Sequence, residues 1–465
     1  MKEFPISDLA QIIQARPVTN IGIFTGVSID SRTTKAGDCF FAIPGENFDG
    51  HDYVADVFAK GAVCAVVAKD IEIKKSTNKS ILKVPDTVKA LGDFARQYRR
   101  NAAFKVIAIT GSAGKTTTRQ IVYQALSRRF HVHQSPKSFN NNIGLPLTLL
   151  GAGPDCEIVI AELGSNHPGE IADLTRIAAP DIAVVTNVHP AHLEGFGSLQ
   201  TIILEKLSIS EGLTPDGVLI INADFDGLVN TCRDKMLKFL TFGKSDGADY
   251  QGRNIRYEAA ASQFTIDDTF VRLPLVGPGN LENTLAAWAV CSQFDMSIDD
   301  FAQAVSKLSP LSMRTELLQI GTLTILSDCY NANPASMKNA LDILIGLDPA
   351  RKRRLVFICG DMAELGTQTE PLHAELGTSI AQAKVDLLIA VGKFAKITSD
   401  AVKKTAEHNL DSSQAASTQI KCFEDALSTC NNLDKFIKDY DIILVKGSRT
   451  ARLETVVDKL KELFS

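Results

Sequence analysis

The sequence predicts an α/β protein of three domains. These are a small N-terminal α/β domain (residues 1–100), a central parallel-sheet domain with a phosphate-binding loop (101–310) and a C-terminal Rossmann-like α/β domain (311–465). Three observations lead there. At 465 residues the chain is too long for one ordinary domain and suggests about three. Two long stretches alternate strand-like apolar runs with helical periodicity, which implies mainly parallel sheets covered on both faces, and a Ser/Pro break at 307–312 separates them. Finally, residues 106–121 read in one run as strand, glycine loop and helix.

Composition narrows the class. A chain that is 45% hydrophobic and 22% charged can bury real cores. A net charge of −5 gives no electrostatic reason to expect nucleic acid as the main partner. The N-terminus lacks a basic region followed by an apolar run, and no apolar stretch approaches the ~18 residues that cross a bilayer. A cytoplasmic protein without membrane insertion is expected. The nine cysteines are scattered, with no C-x-x-C pair and no histidine cluster beside them, so neither a zinc site nor a disulfide framework is indicated.

Residues 1–100 show short apolar runs broken by turn chemistry, at 26–32, 37–43 and 62–68. Two polar knots stand out, Asp30-Ser31-Arg32 and Asp49-Gly50-His51. Taken alone they also fit turn and strand-end residues, so a binding role needs outside support. A helical stretch over 88–100 then leads into the glycine loop.

In that loop an apolar run at 106–109 meets Thr110, Gly111, Ser112, Ala113 and Gly114, then Lys115, Thr116 and Thr117. Apolar residues recur at helical spacing afterwards, at Ile121, Val122, Ala125 and Leu126. A loop of this kind turns backbone N–H groups inward at a helix N-terminus, where they suit phosphate. Lys115 adds a mobile cation and Thr116 a hydroxyl for Mg²⁺. The full G-x-x-x-x-G-K-[ST] pattern wants glycine where this chain has Ile109, so only its second half matches. An ordinary strand-to-helix turn with a surface lysine is the alternative.

Further strands are expected at 158–161, closed by Glu162, and at 182–187 and 217–222. Ligands in such sheets bind beyond the carboxyl ends of the strands. Glu162, Asn187, His189 and His192 fall at those ends, where they could face the crevice of Lys115. A carboxylate closing a buried-type run calls for a cation. Mg²⁺ takes few protein oxygens and completes its shell with water and substrate phosphate. A surface pair for Glu162 and a structural role for His192 are the alternatives. In the last third, strands are expected at 323–326, 355–360, 387–392 and 442–447, three of them ending in glycine. None is followed by G-x-G-x-x-G, which argues against a nicotinamide dehydrogenase. Between them lies a polar loop, Asp328-Cys-Tyr-Asn-Ala-Asn-Pro334.

In order along the chain, these motifs resemble the Mur ligases, ATP-dependent amide-forming enzymes of bacterial peptidoglycan synthesis. The resemblance covers nearly the whole chain. It rests on Asp30-Ser-Arg32, Asp49-Gly-His51, Thr110-Gly-Ser-Ala-Gly-Lys-Thr-Thr117, Asn140-Asn141 with Ile143-Gly144, and Glu162-Leu-Gly-Ser-Asn-His-Pro-Gly-Glu170. Thr186-Asn-Val-His-Pro-Ala-His192, Asn280, Asn283, Arg314, Tyr330-Asn-Ala-Asn-Pro334, Gly360-Asp-Met-Ala-Glu-Leu-Gly366 and Lys446-Gly-Ser-Arg449 continue it. Tyr330-Asn-Ala-Asn-Pro334 is most similar to the member that adds D-alanyl-D-alanine to UDP-N-acetylmuramoyl-tripeptide.

The resemblance implies an N-terminal domain holding the UDP end of that substrate, a central ATPase domain and a C-terminal domain bringing the dipeptide. By the same resemblance the loop from Gly111 to Thr117 binds ATP, with Lys115 on its β- and γ-phosphates and Thr116 on one Mg²⁺. Glu162 and His192 hold a second Mg²⁺, aided by Lys206 if that lysine is carbamylated by CO₂; a helix-surface lysine is the alternative there. Asn283 contacts adenine, Arg314 the phosphates and Asp328 the ribose. Tyr330, Asn331 and Asn333 meet the dipeptide, while Asp30, Ser31, Arg32, Asp49, His51, Asn140 and Asn141 bind the UDP substrate. Lys115, Glu162, His192 and Lys206 form the expected catalytic set, and the working unit is expected to be a monomer.

The chain departs from the family's usual pattern at Lys137-Ser138-Phe139-Asn140-Asn141, Gly279, His189, Ser327 and Cys329. A folylpolyglutamate synthase is the rival of the same mechanism, and the Asp-Ser-Arg and Asp-Gly-His segments argue against it. A phosphate-loop switch without ligase chemistry is the rival of another class. Glu162, His192 and Lys206 discriminate, because a switch has no need of a second cation site.

Overall fold

The computed structural model describes residues 3–19, 22–71, 79–408 and 418–465. Among these residues three main sheets succeed one another along the chain. The first has five strands in the order Arg16–Thr19, Ser80–Lys83, Cys64–Val67, Asp38–Phe41 and Gly26–Ser28, parallel except for the first pairing. The middle strand Cys64–Val67 is buried along its whole length and Asp38–Phe41 from Cys39 onward, as their apolar runs require.

The helix Thr87–Asn101 joins this sheet to the central domain. Asp86 starts it by accepting from Val88 N (2.8 Å) and Lys89 N (2.9 Å). One face carries Phe94, whose ring meets Phe4, Phe24 and Phe41 of the first domain at 5.0, 5.8 and 6.5 Å. Its flanks pack on two helices of the central domain, Gly144–Leu150 and Glu170–Ala178. One apolar core therefore runs without a break from Phe24 and Phe41 through Phe94 to Val106, Leu145 and Leu174. Arg99 crosses this junction buried. It donates to Ala178 O (3.1 Å), Ala179 O (2.9 Å), Phe104 O (3.1 Å) and Asp181 (2.8 Å), satisfying carbonyls that the end of helix Glu170–Ala178 leaves free.

The central sheet has nine strands among the described residues. Their order is Thr269–Leu273, Ser262–Ile266, Tyr250–Tyr257, Leu240–Gly243, Val218–Asn222, Ile182–Val185, Lys105–Thr110, Ile158–Glu162 and Val132–Gln134. All neighbours are parallel except the two pairings at the Thr269–Leu273 end. Lys105–Thr110 sits where the strand order reverses direction, with Ile158–Glu162 on one side and Ile182–Val185 on the other. A crevice opens at such a switch point, beyond the strands' carboxyl ends.

The third sheet has six strands in the order Glu316–Ile320, Leu323–Ser327, Ile442–Lys446, Leu355–Gly360, Leu387–Val391 and Gln419–Phe423, parallel after the opening hairpin. Apolar clusters cover both faces, one of them taking in Val276 of the central domain. Its links to the central domain are mostly single polar bonds: Asn280 Nδ2 to Thr315 Oγ1 (3.0 Å), Gly279 N to Asn339 Oδ1 (3.2 Å) and Tyr330 Oη to Ser138 Oγ (2.8 Å). Among the described residues no helix is long and apolar enough to cross a membrane.

Removing the Arg99 guanidinium leaves Asp181 and several carbonyls buried without it. Arg99→Met is expected to cost about 3–5 kcal/mol, as breaking a buried pair does. Urea unfolding followed by tryptophan fluorescence and circular dichroism should show the first and central domains destabilised together in one transition.

Candidate active site

Beyond Lys105–Thr110 the chain turns through Gly111 (φ +146°) and Gly114 (φ +80°) into the helix Lys115–Leu126. Side chains cannot be accommodated there. A Cβ on Gly111 would lie 2.0 Å from Thr186 Oγ1, and one on Gly114 would lie 2.1 Å from Asn283 Oδ1. No side chain caps the helix, so its first N–H groups face the crevice. Residues after the neighbouring strand hold the turn from below. Asn187 accepts from Ser112 N through its carbonyl (3.1 Å) and from Ala113 N through its side chain (2.9 Å). Thr186 Oγ1 donates to Ala113 O (2.6 Å), and Ser112 Oγ and His189 N complete the stitching at 2.9 Å. The result is a rigid cradle of backbone amides, as the glycine loop predicted.

Lys115 folds back over it, donating to Gly111 O at 2.6 Å. Burial lowers its ammonium pKa, Glu162 opposes this and Arg314 adds to it. Thr116 Oγ1 donates to Glu162 Oε2 at 3.2 Å. Glu162 is buried, and Arg119 Nε lies 2.8 Å from its Oε1. The N–H points out of line, so neither atom has a hydrogen bond. That leaves an ion pair with an unsatisfied carboxylate oxygen beside the phosphate cradle. Arg119 escaped the sequence reading, although a cation in one helical stripe with Val122 and Leu126 was a visible signal.

Two histidines come after the strand Ile182–Val185. His189 packs edge-on against Phe225 at 4.7 Å, and burial pushes its imidazole down to about 4. His192 (φ +53°) meets the carboxylate of Glu364 through Nδ1, across the junction with the C-terminal domain. Burial lowers its pKa, with the charges of Lys115 and Lys206 reinforcing and Glu364 opposing.

Lys206 is not a helix-surface lysine: it is 2% exposed. Its Nζ donates to Ser165 Oγ (2.7 Å) and lies 5.4 Å over the Phe196 ring, with no ion-pairing carboxylate among the described residues. Glu205 beside it is already engaged by Gly169 N and Ile171 N. Burial, with repulsion from Lys115, pushes the Lys206 ammonium down to about 7.

The C-terminal domain supplies the opposite wall. Asp328 accepts from Thr315 N (3.0 Å) and from the buried Lys446 Nζ (2.6 Å), which also reaches Asn331 O (3.0 Å). The sequence alone did not reveal this role for Lys446, although the lysine closes an apolar strand as Glu162 does. Arg314 lies 4.0 Å over the Tyr330 ring. Asn333 Oδ1 accepts from Ser336 N (2.8 Å) and so caps the helix Pro334–Gly346, while Asn331 Oδ1 accepts from Ala332 N (2.9 Å). Asn141 likewise starts the helix Gly144–Leu150.

A cavity of about 1160 Å³ between these walls brings together Gly114–Thr117, Glu162, His192, Asn283, Arg314, Asp328 and Tyr330, with Asn140, Asn141, Asn331 and Asn333 at its margins. Lys206 lies beneath its wall at Ser165. Asp30, Ser31, Arg32, Asp49 and His51 do not line it. Arg32 pairs with Asp30 (2.7 Å) and holds its carboxyl down to about 2. His51 is buried with both ring nitrogens engaged, Nδ1 on Asp49 (2.5 Å) and Nε2 accepting from Ala68 N (2.8 Å). Among the described residues no three His, Cys, Asp or Glu side chains gather as a protein cage for a metal. Glu162 and Thr116 instead offer two oxygens at the cradle, the donor set of an ion that takes the rest of its shell from phosphate and water.

Comparison with known proteins agrees with this geometry. Three family models match: the Mur ligase family catalytic domain over residues 23–99, the Mur ligase middle domain over 109–291, and the Mur ligase glutamate ligase domain over 313–449. The UDP-N-acetylmuramoyl-tripeptide–D-alanyl-D-alanine ligase of Bacillus subtilis is 33% identical over 98% of both chains. A crystal structure of MurF from Acinetobacter baumannii superposes with a TM-score of 0.88 at 29% identity, covering 99% of each chain. MurF from Thermotoga maritima in complex with ADP superposes with a TM-score of 0.81 at 26% identity, covering 94% of this chain and 97% of that one.

The geometry has two measurable consequences. Gly114→Ala forces a side chain into a left-handed turn and against Asn283. That strain, about 1–2 kcal/mol, is relieved only if the turn tilts and carries its N–H groups off line, so ADP binding measured by calorimetry should weaken about tenfold and the melting temperature should fall by a few degrees. Lys206 holds its proton to about pH 10 in the unfolded chain but only to about 7 in the fold. The unfolded state binds more protons between those values, so this group's contribution to stability rises with pH across that window. In CO₂-free buffer, the stability gained by Lys206→Met over the parent should be largest near pH 7 and shrink towards pH 10.

Proposed function

The chain belongs to the Mur ligase family, and on that premise we propose that it is an ATP-dependent ligase. It joins D-alanyl-D-alanine to UDP-N-acetylmuramoyl-tripeptide in bacterial peptidoglycan synthesis. The observation that carries this reading is a single cavity in which a phosphate cradle, a buried carboxylate beside it and the Tyr330–Asn333 loop of a separate domain face one another. The near full-length likeness to D-alanyl-D-alanine-adding ligases supports the choice of substrates.

A carboxylate resists amide formation because oxide is a poor leaving group. Transfer of the γ-phosphoryl group of ATP to the tripeptide carboxylate gives an acyl phosphate. The dipeptide amine then attacks the carbonyl, and phosphate leaves. Positioning and charge neutralisation do most of the work. Lys115 and the loop amides that Asn187 does not occupy, from Gly114 to Thr117, neutralise the β- and γ-phosphates, Arg314 approaches from across the junction, Asn283 meets the adenine and Asp328, held by Lys446, the ribose. Tyr330, Asn331 and Asn333 border the dipeptide. Asp30, Ser31, Arg32, Asp49, His51, Asn140 and Asn141 serve the UDP substrate.

Thr116 would hold one Mg²⁺ and Glu162 with His192 a second; the Glu162 oxygen that fits the role is Oε2, on the Thr116 side, since Oε1 faces the Arg119 guanidinium. Bound there, Mg²⁺ supplies positive charge to the transferring phosphoryl group and the acceptor carboxylate. Lys206 is partly neutral near pH 7, and only a neutral amine attacks CO₂. Its nitrogen forms the new N–C bond and loses a proton, which turns a buried cation into a carbamate beside the same donors. In this reading residues 1–100 hold the UDP end, 101–310 bind ATP and 311–465 bring the dipeptide. The enzyme works in the cytoplasm as a monomer.

Phosphate release from ATP tests the reading. It should require both UDP-N-acetylmuramoyl-tripeptide and D-alanyl-D-alanine, and Lys115→Ala should reduce it by about 10²–10³ or more, as loss of a transition-state charge partner does. Release indifferent to both substrates would instead mark a phosphate-loop switch.

A further inference from the structure

The loop that leaves the strand Leu355–Gly360 reaches across the domain junction and seats on the turn that carries His192. Glu364 and His192 are 172 residues apart in sequence, yet the Glu364 carboxylate contacts His192 Nδ1. A second bond runs alongside, from Glu194 N to Glu364 O at 3.3 Å. Gly366 (φ +55°) completes the seat, since a Cβ there would lie 3.1 Å from Glu194 Cα. Glu364 and His192 both hold positive φ, at +61° and +53°. For side-chain-bearing residues that conformation costs about 1–2 kcal/mol each and persists only where the surroundings impose it.

We propose that Glu364 is a positioning residue for His192, so that the cation site beside Glu162 is complete only when the C-terminal domain is docked. This rests on the ligase reading only in taking His192 as a Mg²⁺ donor. The chemistry is local. A carboxylate at Nδ1 keeps the proton on that nitrogen and turns the ring, which leaves the Nε2 lone pair as the one donor able to face the cavity. His192 lines that cavity with Glu162 and Lys115. When the C-terminal domain swings away, Glu364 leaves with it, and the imidazole is free to rotate and exchange tautomers. Bringing the dipeptide wall into place and setting the metal ligand then become one event, because both belong to the same rigid domain. The other links across the junction, at Ser138, Thr315 and Asn339, fasten the domain without touching a proposed metal donor.

The full chain with ADP bound allows a direct test in two samples, metal-free protein with ¹⁵N-labelled histidine for the tautomer and a separate Mn²⁺ titration for affinity. In the parent, the His192 ring should show a single tautomer protonated at Nδ1. Glu364→Ala should mix the tautomers and weaken Mn²⁺ binding about tenfold or more, the size expected on losing a ligand's hydrogen-bond partner. Glu364→Gln should retain most of both, because its carboxamide oxygen accepts the same proton. Unchanged tautomer and Mn²⁺ affinity in Glu364→Ala would overturn the proposal. So would a change in domain arrangement by small-angle scattering with Mn²⁺ affinity intact, which would make Glu364 a latch and nothing more. If His192→Ala leaves Mn²⁺ affinity unchanged, His192 is no donor and the proposal falls with that assignment, while the ligase reading still stands or falls on phosphate release.

Discussion

Asn187 holds the glycine turn with both of its oxygens, and the use of the cavity depends on that grip. A turn of small residues is cheap to deform, and its amides would scatter in solvent if only the strand before it and the helix after it fixed their direction. Fastening Ser112 N and Ala113 N to the next strand's exit occupies those two amides but fixes the turn, so the uncapped N–H groups that follow, from Gly114 into the helix Lys115–Leu126, are aimed before any ligand arrives. It also fixes what surrounds the turn, because Thr186 and Asn283 approach until only glycine fits at positions 111 and 114. The Thr116 hydroxyl and the Glu162 carboxylate then meet at a set distance, which a looser turn would not maintain.

Around that frame the charge is unbalanced. Lys115, Arg119 and Arg314 act on one another through the same space, and Lys206 adds to the field on Lys115's side. Glu162 is the anion that answers them most directly. Burying cations beyond the number of their counter-ions is costly in isolation. The depressed pKa values of Lys115 and Lys206 are the visible sign of that cost. A polyanion entering the cavity relieves it, so part of the binding energy for a nucleotide is already stored in the empty fold.

Much of this was legible in the sequence, because strand ends are easy to find. An apolar run closed by Glu162, and a turn at Thr110 that continues into Gly-x-x-Gly-Lys-Thr, mark where backbone must give way to chemistry. Lys206 was named only through the family resemblance, and its burial was not legible, since Glu205 and Lys206 are consecutive and both buried, which no helical period anticipates. Its surroundings, Ser165 and Phe196, arrive from elsewhere in the chain. Arg119 and Lys446 were visible as charges in apolar patterns, but their partners were not. The pairing of Glu364 with His192 depends on how two separately folded domains meet, and local pattern carries no trace of that. The polar knot at Asp49 and His51 was readable from its pattern as turn chemistry, and both ring nitrogens of His51 are indeed bonded within the domain, to Asp49 and to Ala68 N.

The helix Thr87–Asn101 gives the first two domains one core, with Arg99 locked across the seam. The third domain has cores that draw in Val276 of the central domain but touches the others mainly through single polar bonds. For a substrate that spans the first two domains, the molecule is a gauge with one fixed jaw. On the proposed reading, in which residues 1–100 hold the nucleotide-sugar end, its separation from the glycine loop is fixed by that shared core, so a peptide one residue too short or too long would present its carboxylate out of reach of the phosphoryl group. On the same reading, selectivity for the length of that peptide is a property of a buried helix remote from the chemistry.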